Sequence, residues 1–191
     1  LKTTLEGILG GASPELLQDV TNKQQAVKDA ITNYGGGKPA QPKLDGSATT
    51  VGPFGDPPKE PTKSGGEWVP LMVDGNWQWF DPEVAKAIAA ENAAVARLGE
   101  AQAKPVQSQA QLDVYALDPA YKEAMNAAKS TLDKALAPYG LEWKVPTPKG
   151  TLAEAQERLT LANNALEKAT TARVEYTQGE KDLLAAIGKQ A

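Results

Sequence analysis

The chain has 191 residues, 41% of them hydrophobic, and a formal net charge of −4 from 20 basic and 24 acidic side chains. That suits one domain, or one domain with a long insert, and leaves no excess of Lys and Arg for capturing nucleic acid or an anionic membrane surface. There is no Cys and no His, which removes disulfides, imidazole and thiolate catalysis, and the usual zinc ligands.

What stays open is carboxylate acid–base chemistry, Lys chemistry or an oxygen-ligand cation site. No residue set singles itself out as catalytic, cofactor-binding or metal-ligating. No run approaches the roughly 20 apolar residues of a membrane span. The start at Leu1 rather than Met reads as a processed product or a fragment.

Residues 1–11 carry Leu1, Leu5, Ile8 and Leu9 and read as a short helix ending at Gly10-Gly11. Ser13 then offers a cap and Pro14 a first helical position. Leu17, Val20, Gln24, Val27, Ile31 and Tyr34 follow at spacings of three and four, the stripe of an amphipathic helix. Gly35-Gly36-Gly37 stops it, which closes an N-terminal helical segment over residues 1–34.

Residues 35–66 change character: 14 of these 32 are Gly or Pro. So few apolar groups cannot offset the ordering entropy of a packed core. The segment reads as a linker or extended strap, with Phe54 as a local pin. The rest, 67–191, reads as a β-hairpin plus a helical domain.

The hairpin is predicted over 67–80. "WVPLMV" is extended and apolar, Asp74-Gly75 is a strong two-residue turn, and "WQWF" returns. Pro70 makes the first strand an edge strand or an irregular one. Trp77 and Trp79 are two apart and share a face. They are candidates for a sugar- or peptide-stacking platform. Because a lone hairpin is marginal in water, the favoured reading makes Trp77, Trp79 and Phe80 a plug against the helices.

Asp81-Pro82 and Asp118-Pro119 each combine a cap with a following Pro. The first opens a helix to about Ala103, with Val84, Ile88, Val95 and Leu98 on one face and Pro105 beyond it. The second opens a helix to about Ala137, with Tyr121, Met125, Ala128, Leu132 and Leu136 on one face. Residues 106–117 fit either a helical turn or a short strand. Positions 81–137 hold 17 Ala among 57 residues, so these helices are thin and form easily.

"YGLEWKVP", Tyr139 to Pro146, is a helix–helix turn, with Trp143 expected to cap its end. Thr151-Leu152-Ala153-Glu154 is a capping box. It starts a helix of nearly forty residues. Leu152, Ala155, Leu159, Ala162, Leu166 and Ala169 form a heptad seam suited to close packing, to self-association or to a partner protein. The seam weakens over 170–181, where Arg173, Gly179 and Glu180 fall. The fold class expected is mainly α: Ala-rich helices in a bundle or hairpin, one small β-hairpin and a Gly/Pro-rich extended segment.

Within the weak stretch lies "YTQGE", Tyr176 to Glu180. One turn apart on one face, they offer a phenol and a carboxylate to a partner. Here the chain resembles actinobacterial type VII secretion substrates, the helical-hairpin proteins of the WXG100, PE and Esp-like kind. Their export signal is Tyr-x-x-x-Asp/Glu after a helix–turn–helix. Residues 119–137 and 151–190, with Trp143 in the turn, are similar to that hairpin.

The family's Trp-x-Gly turn is replaced by Trp143-Lys144-Val145, and Gly75-Asn76-Trp77 runs in reverse order. The resemblance implies a secreted or cell-envelope-associated protein that works through protein contacts, with Tyr176 and Glu180 as export-signal residues. Two other readings stand beside it: a phage virion assembly component of the tail or capsid, and a carbohydrate-binding or carboxylate-dependent cell-wall enzyme using the Trp hairpin.

Overall fold

The computed structural model describes residues 13–41, 52–53, 67–144 and 147–189. The short helix expected over 1–11 and the pin at Phe54 lie outside them. The chain is mainly α-helical with a small antiparallel sheet. In order come α1 (Pro14–Tyr34), β1 (Lys38–Gln41), β2 (Gly52–Pro53), β3 (Val69–Val73) and β4 (Asn76–Phe80). Then follow α2 (Pro82–Leu117), a 3-10 turn (Pro119–Tyr121), α3 (Lys122–Leu136), a second 3-10 turn (Ala137–Tyr139) and α4 (Leu152–Gly188). Two compact units divide the described residues. One takes 97–172 with Ser13, the other 14–96 with 173–189.

The predicted helix starts are made as the capping chemistry demands. The Glu83 N–H donates to Asp81 Oδ1 at 2.9 Å, and the Ala120 N–H to Asp118 Oδ1 at 2.9 Å. At Thr151 the capping box is reciprocal: its N–H donates to Glu154 Oε2 at 2.8 Å, and its hydroxyl accepts from the Glu154 N–H at 3.4 Å.

The predicted hairpin is present. Asp74 and Gly75 both take positive φ, 50° and 76°, the twist of a two-residue turn that matches the strands. Val73 and Asn76 close that turn and are therefore the hydrogen-bonded pair; the next bonded pairs are Leu71 with Gln78 and Val69 with Phe80. Pro70 falls at a position between them, where a backbone N–H would point away from β4. Its missing donor costs the hairpin nothing, and β3 is an edge strand.

The sheet is wider than a hairpin. Its order is β2-β1-β4-β3, with two strands from the Gly/Pro-rich segment. Lys38 pairs with Trp79 and Pro39 with Gln78. Strand pairing is a backbone affair, so a segment poor in apolar side chains still adds to an edge already made.

In the sheet-bearing unit, Phe80, Val84, Ala85 and Ala30 form the buried centre. Val69, Leu71, Val73, Tyr34, Ile88 and Leu183 close around it. Gly37 is required there: a Cβ would collide with the Phe80 ring and with Gln78 Oε1 at 2.6 Å.

Two helix readings are corrected. The inward face of α1 runs through Leu16, Val20, Lys23, Val27, Ala30 and Tyr34, while Leu17, Gln24 and Ile31 are exposed. Small Ala30 faces the core because the Phe80 ring occupies the space beside it; a bulky residue there would displace the ring. The second concerns α2, which does not end near Ala103 but continues through Pro105 to Leu117. A mid-helix proline costs about 3 kcal/mol. Ala110, Leu112 and Val114 beyond it are all buried, and that packing carries the helix on.

Candidate functional site

The long C-terminal helix α4 holds the sequence-predicted signal. Tyr176 is 48% exposed and Glu180 half-buried. The helix is unbroken from Leu152 to Gly188, so the phenol and carboxylate stand one turn apart on one face. Leu183, on the same side of the helix, enters the core with Phe80 and Val84. Val174 and Leu184 nearby are exposed. The region therefore offers a phenol, a carboxylate and apolar carbon on a helix anchored from below.

The seam residues Leu152, Leu159 and Leu166 are half-buried, and Ala155 and Ala162 between them are buried. This face packs inside the chain's own fold. Gln107 Nε2 on α2 donates to Asn163 Oδ1 at 3.1 Å, and Arg158 meets Asp113 at 3.5 Å, which ties the two helices side by side.

The aromatic hairpin divides by face. Phe80 is 4% exposed and is the core residue of the group. Trp77 and Trp79 lie on the opposite side of β4, in register with Met72 and Pro70 of β3. Trp77 is 48% and Met72 54% exposed. Trp79 is half-buried, and its indole Nε1 is enclosed without a hydrogen-bond partner.

No protein-family model, curated protein or solved structure matches this chain. The reading of its sites rests on residues and geometry.

Trp143 lies beside the end of α3. Its backbone N–H donates to Asp133 Oδ1 at 3.0 Å. Lys129 bonds Asp133 and also reaches Glu142 Oε1 at 3.3 Å. This brings two carboxylates together, which nothing in the sequence announced, since they are nine positions apart across a turn. The Lys129 ammonium holds the Asp133 carboxyl below its usual range; desolvation opposes it, and the Trp143 N–H adds to the lowering. A general acid needs the reverse shift. The cluster latches the turn to the end of α3.

One feature was not foreseen from sequence. Between α2 and α4 in the helical unit lies an open hollow of about 670 Å³, lined by Pro105, Val106, Ala110, Leu161, Ala162 and Ala165, with Asp113 and Arg158 at one end. The signal was available in principle: thin Ala positions on both helices, flanked by Val106 and Leu161, leave a trough. Reading it required knowing that α2 survives Pro105.

Proposed function

We propose that this chain is a helical interaction protein, secreted or envelope-associated, that acts by protein contact and is read by a partner through the Tyr176–Glu180 face of α4. The observation that carries the reading is the exposure of Tyr176 on an unbroken, anchored helix, one turn before Glu180. A recognition signal has to be accessible and held in one geometry, and a helix packed through Leu183 supplies both. The similarity to type VII secretion substrates makes export the natural assay. With Tyr176→Ala and Glu180→Ala combined, the fold should be unchanged by circular dichroism while export from an actinobacterial host is lost; equal export of the double variant would remove the reading.

A second reading is favoured by the outer face of the sheet. Trp77 and Met72 stand open there beside Trp79, a surface on which a pyranose ring can stack. On that reading soluble cell-wall oligosaccharide quenches tryptophan fluorescence, and Trp77→Ala abolishes the change. No quenching at millimolar sugar excludes it.

A further inference from the structure

The outer face of the sheet carries a cation beside its tryptophans. Lys38 of β1 stands directly opposite Trp79 of β4, and Trp79 directly opposite Pro70 of β3. Directly opposed residues of antiparallel strands lie on the same face of the sheet. Lys38, Trp79 and Pro70 therefore form one row across three strands, beside the row of Trp77 and Met72. The alternation along β1 agrees: Gly37 lies against Phe80 and Gln78 on the core side, so its neighbour Lys38 belongs to the other.

Two donors in this row lack acceptors. Lys38 is half-buried, and among the described residues no carboxylate pairs with its ammonium. Asp81, just past β4, is engaged as the cap of α2, and Asp74 lies at the hairpin turn, the far end of β4 from Trp79. The indole N–H of Trp79 has no hydrogen-bond partner. Taking an ammonium partly out of water is unfavourable unless an anion compensates it. A neutral pyranose would offer these rings a stacking face but no anion. A pyranose with a carboxylate offers both.

We propose that the outer face takes a carboxylate-bearing pyranose, its ring on Trp77 and Trp79 and its carboxylate on the Lys38 ammonium. The proposal rests on the stacking reading of that face and names the class of sugar. Opposed residues on neighbouring strands are about 5 Å apart at Cβ, a gap that a lysine side chain spans, so the ammonium reaches a substituent of a ring lying over Trp79. The chain as a whole is negative, at −4, and its overall field does not draw anions in. Contact with the rings holds the ligand, and Lys38 selects among ligands.

Tryptophan fluorescence titration of the full chain with two matched pairs of sugars tests this. Trigalacturonate and its methyl ester differ only in charge. The disaccharide of N-acetylglucosamine and N-acetylmuramic acid adds a lactyl carboxylate to chitobiose. The acidic member of at least one pair should bind about ten-fold more tightly than its neutral mate, and the pair that shows this identifies the sugar as uronate or muramyl. Sodium chloride at about 0.5 M should shrink the preference. Lys38→Ala should make the two members equal, Lys38→Arg should keep the preference, and Trp77→Ala should abolish binding of both, all with unchanged circular dichroism. Equal affinity for acidic and neutral sugars in the unaltered chain overturns the proposal and leaves the stacking reading standing; no quenching by any of these sugars removes both. A preference that survives Lys38→Ala overturns it too. So does Lys38-dependent binding of a polyglutamate peptide that no sugar displaces, which would make the face a dock for acidic peptide.

Discussion

The two halves of α4 are one helix with two kinds of surface. From Leu152 to Ala169 the inward stripe alternates Leu and Ala, with Ala155 and Ala162 buried and a capping box fixing the start. From Arg173 onward the same stripe carries Arg173, Tyr176 and Glu180 before Leu183 restores it, and Gly179 lowers the helical propensity. The first half uses its side chains to hold the fold. The second leaves some of them available while Leu183 keeps the backbone in place. The helix there gives up packing without giving up its geometry.

Substitution can break that contrast, and the largest effect belongs to the packed half. Ala155 is fully buried, so Ala155→Leu should cost about 1–3 kcal/mol by overpacking, whereas Leu184→Ala in the second half should stay within about 0.5 kcal/mol. Urea denaturation followed at 222 nm compares them; equal losses would erase the distinction. Next comes the cap: Thr151→Ala should cost about 1 kcal/mol by freeing the Glu154 N–H.

In the opposite direction, Gly179→Ala should gain up to about 1 kcal/mol, since a Cβ there meets nothing within 4 Å. A loss instead would mean the glycine serves a contact the fold does not display. Tyr176→Phe should leave stability within about 0.5 kcal/mol, so any loss of partner binding by that variant reports the phenol hydroxyl itself.

The smallest effect is local and depends on pH. Asp133 is depressed by Lys129 and by the Trp143 N–H. Its stabilisation of the turn is therefore complete above the unfolded carboxylate value of about 3.9, and is lost as pH falls through the lower folded value. Lys129 is raised, chiefly by its hydrogen bond to Asp133. Its share is present below the unfolded value of about 10.4 and is lost as pH rises through the folded one. The Trp143 backbone amide resonance should move with acid in the native chain and stay flat in Asp133→Asn.

Much of the architecture was legible because it rests on local chemistry. Asp81, Asp118 and Thr151 announce helix starts through side-chain oxygens that can reach nearby N–H groups, and Asp74-Gly75 announces a turn through backbone freedom. What failed were judgements that depend on tertiary packing. Pro105 looked like a boundary because its cost is local, while the burial that overrides it lies at Ala110 to Val114. Leu17 and Ile31 looked like core because they are large, yet the Phe80 ring selects small Ala30 instead. Strand β1 was hidden because its partner is a strand some forty positions away. For the sites, the Tyr176–Glu180 pair was visible as a spacing, but the trough was not, since it exists only where α2 and α4 lie side by side.

Pro70 has one more implication. On the outward side of β3, only Met72 still presents a backbone N–H between the two hydrogen-bonded positions that flank it, and the opposite border strand is two residues long and ends in Pro53. Neither described border strand offers more than a residue or two as a template for a further strand. Along these described strands a second copy therefore finds almost no backbone to zip onto, and recognition there falls to side chains.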